Sequence, residues 1–221
     1  MSPNQRYAVT TLAVFAIVIA VIRILYVLHE HTWLAPYIPL LVAVVLIYVP
    51  VVIAKWNGES LSYLDRSRKQ WSTSLKLALL VSAIILPPFL LLNHLWQMMV
   101  YGLSFHPRAV IGLAWVLVDQ LFLVAIPEEI FFRGWLQSRF NRLYPAKWNI
   151  FGVRLGWAWL LTAVLFAIAH SLVTYEWWHF AIFFPALVFG WMREKTGTIV
   201  SSSLFHCFCN LTAYWIGFNY T

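Results

Sequence analysis

Long apolar runs alternate with short polar breaks along the whole chain. Because about twenty consecutive apolar residues let a helix cross a bilayer, seven such runs predict seven membrane helices. We therefore expect an all-α fold, a polytopic transmembrane helix bundle with a buried polar site. The predicted helices are Ala8–Leu28, Trp33–Ala54, Ser74–Trp96, Ala109–Phe140, Leu155–Thr174, Trp177–Met192 and Ile199–Phe218. We expect one integral-membrane domain over residues 1–221, with its motif-bearing core at about 109–218.

Prolines modify two of these predicted helices. Pro87 and Pro88 predict a kink in the third. The fourth is long enough to be tilted or broken, and Pro127 followed by two acids is a favourable helix start. A break at Pro127 would give eight membrane helices instead of seven.

The distribution of basic residues predicts the orientation in the membrane. Lysine and arginine concentrate in the second, fourth and sixth polar breaks, and the other three breaks hold almost none. Basic loops tend to stay on the cytoplasmic side. We therefore predict a multi-pass protein of the cell (inner) membrane with a cytoplasmic N-terminus.

Composition supports the membrane assignment. Hydrophobic residues make up 62% of the chain and charged residues only 10%, whereas roughly a quarter of a soluble domain is charged. The net charge of +7 is accounted for by the basic breaks, and no basic patch is interleaved with stacking aromatics. We therefore expect the lipid bilayer as a partner and no nucleic acid.

Three polar pairs lie inside apolar runs, and each pair is spaced four residues apart: Glu129 and Arg133, Phe166 and His170, His206 and Asn210. This spacing places both members of a pair on one face of a helix. Ionisable side chains at membrane depth are costly to retain and indicate a functional site. Three helices that turn polar faces to a common interior predict a buried active site.

The motifs that carry these pairs are EEIFFRG at 128–134, FAIAH at 166–170 and HCFCN at 206–210. In this order, together with REKTGTI at 193–199, the sequence resembles the CPBP family of intramembrane proteases. That family includes the type II CAAX prenyl endopeptidases and the bacteriocin-processing or immunity (Abi) proteins. The resemblance implies an intramembrane endopeptidase whose substrate is a peptide or protein, such as a prenylated C-terminal tail or a precursor peptide.

Peptide hydrolysis needs an activated water and stabilisation of the developing oxyanion. Glu128 and His170 could hold a water between them, with Glu128 accepting its proton. His206 and Asn210 could donate hydrogen bonds to the oxyanion. The resemblance implies the same four roles.

Two further side chains are expected to support these groups. Arg133 lies one helical turn after Glu129 and can pair with it, which would lower the cost of a second buried acid. Phe166 is expected to pack beneath His170 without a chemical role.

A metal-dependent mechanism is the alternative at the same residues. Glu128, His170 and His206 are ligand types of a zinc site with two histidines and one carboxylate. The chain contains no HExxH motif, and the candidate residues supply a base and oxyanion donors without an ion. We therefore favour a mechanism without cofactor or metal, with Zn²⁺ as the alternative.

Two other functions fit the same residues. A membrane immunity or assembly factor of this family could retain the polar core without catalysis. A proton-coupled transporter could use glutamate and histidine as a relay. We disfavour the transporter because the sequence has no sign of the repeat symmetry common in transporters.

Overall fold

A computed structural model describes residues 1–31, 33–59, 63–109 and 111–221. Helices dominate these residues, which confirms the predicted all-α, polytopic membrane bundle. The helices are α1 Pro3–His31, α2 Ile38–Trp56, α3 Arg68–Val100, α4 Leu113–Asp119, α5 Ile126–Glu129, α6 Ser138–Leu143, α7 Trp157–Thr174, α8 Phe183–Thr196 and α9 Val200–Asn219. Short 3₁₀ helices precede α2 and α8, at Ala35–Tyr37 and Trp177–Ile182.

Four helical stretches are long and apolar enough to cross a membrane: Pro3–His29, Ala35–Trp56, Arg68–Val100 and Trp157–Thr174. Large apolar side chains are exposed along them, including Ile17 and Leu80. Lipid is the solvent that accommodates such a surface. The fourth, sixth and seventh predicted segments are also helical. The fourth carries the first motif and the seventh carries the third.

The fourth predicted helix is one continuous helix over residues 113–143. Within it, π-helical segments at Gln120–Ala125 and Ile130–Gln137 flank α5. The expected alternative of a break at Pro127 is therefore wrong. A proline lacks the N–H and clashes with the carbonyl four residues earlier in an α-helix, and the wider π turn directly before Pro127 removes that conflict. We call residues 113–143 the composite helix.

The third helix also continues past its prolines. A capping box starts α3, in which the Ser67 hydroxyl accepts from the Gln70 backbone N–H and the Gln70 side chain accepts from the Ser67 N–H. The helix then runs through Pro87 and Pro88 to Val100. The kink at these prolines stays a prediction.

A small hairpin between the composite helix and α7 was not predicted. Its antiparallel strands are β1 Trp148–Ile150 and β2 Val153–Leu155. Phe151 and Gly152 form the turn with φ of 50° and 76°, the positive values that tight hairpin turns use. Strands of three residues are too short to give a recognisable alternating pattern.

The composite helix, α7, α8 and α9 pack around a core of buried aromatic side chains. Gly190 allows α8 to lie close to α7 and to the composite helix. The Trp159 indole N–H donates to the Leu187 carbonyl at 2.8 Å, and the Gln137 amide donates to the Gly190 carbonyl at 3.2 Å. A β-carbon at Gly190 would lie 2.7 Å from Trp159 Cδ1 and 2.8 Å from Gln137 Oε1. Gly190 is therefore a point of close packing between α8, α7 and the composite helix.

We predict that Gly190→Ala lowers the free energy of unfolding by about 1–3 kcal/mol, because the added methyl overpacks this contact. Thermal unfolding in detergent measures the effect. Gly217→Ala is the matched control in α9, since no heavy atom lies within 4 Å of its added β-carbon. Equal melting temperatures for the two variants would contradict the packing described here.

Candidate active site

Glu128, His170 and His206 meet at one point although three separate helices carry them. Glu128 Oε2 lies 3.7 Å from His170 Nε2 and 3.8 Å from His206 Nε2. The helices are α5, α7 and α9. The structure thus brings together the carboxylate and both imidazoles that the motifs singled out.

The backbone fixes the tautomer of His170. Its Nδ1 lies 2.9 Å from the Phe166 carbonyl oxygen, one turn earlier in α7. A carbonyl only accepts hydrogen bonds, so Nδ1 carries the hydrogen. In the neutral ring, Nε2 is then an acceptor that faces Glu128.

Glu129 orients His206 in the same way. His206 Nδ1 lies 3.3 Å from Glu129 Oε1, and the carboxylate, paired with Arg133, acts as the acceptor. His206 Nε2 is therefore also turned towards Glu128. With both rings neutral, two nitrogen lone pairs and a carboxylate oxygen face one another, so a proton or a hydrogen-bond donor such as water must lie between them.

Burial differs between the two neighbouring glutamates. The side chain of Glu129 is 0% exposed, whereas Glu128 and His170 retain 17% and 26% exposure. Even so, Glu128 Oε2 itself is a buried atom, and it accepts no hydrogen bond from the described residues. Buried acceptors normally have a partner, so this oxygen is available to a small polar molecule that reaches the site.

The predicted pair of Glu129 and Arg133 is present and completely buried. Arg133 Nη1 lies 3.2 Å from Glu129 Oε1, and both side chains are 0% exposed. This contact is an ion pair without hydrogen-bond geometry, since Nη1 donates to no acceptor in the part of the chain that the structure describes. Nη2 donates to the Ala186 carbonyl oxygen at 3.1 Å, which ties the pair to α8.

Two aromatic rings connect this ion pair to the histidines. The Arg133 guanidinium carbon lies 4.3 Å from the ring centroid of Phe166 and 5.1 Å from that of Phe189. Phe166 also contacts His170, with ring centroids 4.4 Å apart, as its predicted packing role requires. Phe189 stacks on His206 at 4.6 Å with an angle of 16° between the planes. These contacts restrict both imidazole rings.

Asn210 has a partner that the motifs did not indicate. Its Nδ2 donates to Gln120 Oε1 at 2.9 Å, and among the described residues no hydrogen bond joins Asn210 to Glu128. Gln120 begins the first π-helical segment of the composite helix. The available signal was Gln120 itself, which follows Asp119 and lies eight positions before Glu128 within an apolar run. An amide nitrogen carries two hydrogens, so Asn210 retains a second donor.

The zinc alternative concerns the same three side chains, Glu128, His170 and His206. Over residues 1–31, 33–59, 63–109 and 111–221, no group of three or more His, Cys, Asp or Glu side chains is placed so that it could hold a metal ion. Ligands at tetrahedral zinc lie about 3.4 Å apart. The distances from Glu128 Oε2 to the two Nε2 atoms, 3.7 and 3.8 Å, are wider.

Comparison with known proteins agrees with these motifs. Residues 109–212 match a family model described as type II CAAX prenyl endopeptidase Rce1-like. This part of the chain, slightly less than half of it, is similar to the CAAX protease family. The matched region contains all three motifs and all the side chains of the site, and this similarity supports a membrane-embedded protease at a coarse level. No curated protein and no solved structure shows a significant match to the chain.

We predict that Arg133→Met destabilises the protein by about 3–5 kcal/mol, because it leaves Glu129 as an uncompensated buried charge. Unfolding in detergent, followed by circular dichroism, measures the loss. The double variant Glu129→Gln with Arg133→Met carries no such charge and should regain most of the lost stability. If the double variant is as unstable as the single one, charge compensation does not explain the pair.

Proposed function

We propose that the protein is an intramembrane endopeptidase that hydrolyses a peptide bond with a water activated by Glu128 and His170. The observation that carries the proposal is the meeting of one carboxylate oxygen with two oriented imidazole nitrogens inside a helix bundle. The family match, which covers the same residues, supports it. Glu129 and Arg133 would position the site and would not touch the substrate.

A single water suits the space between Glu128 and the histidines. The separations of 3.7 and 3.8 Å are too long for direct hydrogen bonds, but one water about 2.8 Å from each atom can bridge them. A water has two hydrogens, so it can donate to Glu128 Oε2 and His170 Nε2 while His206 Nε2 carries the remaining proton. Glu128 then takes the proton as the water oxygen attacks the scissile carbonyl, and later passes it to the leaving amine.

The charge balance supports this proton transfer. The carboxylates of Glu128 and Glu129 face a single guanidinium, that of Arg133. One additional proton, shared among Glu128, His170 and His206, makes the cluster neutral, and a neutral cluster costs least at membrane depth. When this proton rests on His206, Glu128 is a free carboxylate that can accept a second proton, the one that the attacking water gives up.

His206 and Asn210 are the proposed oxyanion donors. When His206 is protonated, Nδ1 remains on the Glu129 carboxylate and Nε2 can donate to the substrate. Asn210 lies one turn further along α9 and is held by Gln120, which leaves its second N–H for the same purpose. One donor of this kind typically contributes roughly 3–4 kcal/mol to the transition state.

The proposed substrate class follows from the family. A peptide with a prenylated cysteine near its C-terminus carries its own lipid, and the partial exposure of Glu128 and His170 is compatible with approach from one side of the bundle. A precursor peptide is the other substrate class. We further propose that the N-terminus is cytoplasmic in the cell membrane, as the basic breaks indicate.

We predict cleavage of a farnesylated CAAX-type peptide by the purified protein in liposomes, measured by mass spectrometry of the products. Glu128→Gln and His170→Asn should each reduce kcat by about 10²–10⁴-fold, because each removes a group that activates the water. Asn210→Ala should reduce it about 10²–10³-fold. Asp119→Asn, an exposed acid on the composite helix, should leave the rate unchanged.

Controls separate the alternatives. The same peptide without its prenyl group tests the substrate class, and incubation with a strong chelator before the assay tests metal dependence. Loss of activity with the chelator, restored by zinc, would contradict the metal-free mechanism. A folded protein that cleaves neither prenylated nor precursor peptides would favour a non-catalytic immunity or assembly role.

A further inference from the structure

A second polar site lies at the end of the bundle where α1 begins and where α2, α6 and α8 end. A partly open cavity of about 240 Å³ lies there, and its lining includes three arginines, Arg139, Arg142 and Arg193, and one acid, Glu59. We call it the basic cavity. Arg139 is eleven residues beyond Glu128 along the composite helix, which corresponds to about 16 Å. The basic cavity is therefore separate from the candidate active site.

Positive charge exceeds negative charge around the basic cavity. Glu59 Oε1 accepts from Arg139 Nη1 at 2.7 Å and lies 3.3 Å from Arg142 Nη1. Arg193 Nη1 contacts Glu194 Oε1 at 2.9 Å. Three guanidiniums against these two carboxylates leave one net positive charge, so the lining favours an additional anion.

A buried donor without an acceptor gives an independent indication. Trp135 lines the basic cavity and is 1% exposed. Its indole Nε1 makes no hydrogen bond within the described parts of the chain. A buried tryptophan N–H usually has an acceptor, and the unpaired N–H of this lining residue is consistent with a missing acceptor near the basic cavity.

Two hydroxyl groups can add further donors. Burial raises the pKa of Tyr63 to about 12, so its hydroxyl keeps its hydrogen at neutral pH. Ser138 Oγ accepts from Arg193 Nη2 at 2.7 Å, which leaves the serine hydrogen free to donate. Tyr63 also packs closely on Gly134, where an added β-carbon would lie 3.0 Å from its ring. The lining is therefore held in place by the composite helix.

The basic cavity lies at the level where a membrane protein meets lipid headgroups. Trp56, the last residue of α2, is 83% exposed and only three residues before Glu59. Exposed tryptophans are typical of the headgroup region. Arg142 is 50% exposed and connects the basic cavity to the surface.

We propose that the basic cavity binds a phosphate group, provided by an anionic phospholipid headgroup or by a soluble phosphate compound. A phosphate offers more acceptor oxygens than a carboxylate, and guanidinium groups bind it in bidentate fashion. Donors on several sides of the cavity match that geometry. The proposal does not rest on proteolysis, since binding can be measured without a peptide substrate.

Native mass spectrometry of the delipidated protein in neutral detergent tests this site. Short-chain phosphatidylglycerol is titrated, with the equivalent phosphatidylcholine as the neutral comparison and inorganic phosphate as a competitor. We expect preferential binding of phosphatidylglycerol, and at least about tenfold weaker binding in Arg142→Gln and Arg193→Gln. Arg154→Gln, an exposed arginine in β2, should bind like the unchanged protein.

Trp135→Phe gives a second test, because it removes the buried N–H while keeping an aromatic ring in the core. It should weaken phosphatidylglycerol binding without affecting Glu128-dependent cleavage. Competition by inorganic phosphate would identify the phosphate group itself as the ligand, and lipid binding that phosphate does not displace would assign the site to the headgroup. Binding of phosphate alone would assign it to a soluble compound. Binding of neither ligand, or equal binding in the Arg142 and Arg154 variants, would overturn the proposal.

Discussion

The buried ion pair of Glu129 and Arg133 is the interaction on which the candidate site depends. Its two side chains are 0% exposed, so the pair bears the full cost of desolvation and needs well-placed partners. Arg133 gains the Ala186 carbonyl and the faces of Phe166 and Phe189. Glu129 in turn accepts from His206 Nδ1. The pair therefore determines which nitrogen of His206 is left to face Glu128.

The aromatic contacts extend this control to the second histidine. Phe166 lies between Arg133 and His170, while Phe189 stacks on His206. Because the surroundings are apolar, each polar contact is stronger than it would be in water, and each unpaired polar atom is more costly. Glu128 Oε2 is a buried oxygen without a hydrogen-bond partner among the described residues, and it lies near both imidazoles, which suits chemistry at that atom. Because the aromatic contacts hold both imidazole rings in place, the rings would need to move little during a reaction.

Spacing arguments predicted much of this structure, and their failures have physical causes. Intervals of four residues correctly indicated shared helix faces and the partnership of Glu129 with Arg133. The same reasoning offered a break at Pro127 as an alternative to a tilted helix, because it assumed uniform α-helical geometry. The π turns that accommodate Pro127 have no simple sequence signature. Gln120 was missed because it does not stand four residues from another polar residue of the motifs, and its bond to Asn210 depends on how α9 crosses the composite helix.

The tautomers of His170 and His206 provide the most direct test of the central claim, that backbone and carboxylate acceptors turn both Nε2 atoms towards Glu128. Solid-state ¹⁵N NMR of histidine-labelled protein in bilayers can determine them, with His170→Asn and His206→Gln assigning the two signals among the seven histidines. The account predicts a protonated Nδ1 in both rings and a change of both Nε2 signals in Glu128→Gln. An Nδ1 without hydrogen in either ring would contradict the account. Nε2 signals that stay unchanged in Glu128→Gln would contradict it as well.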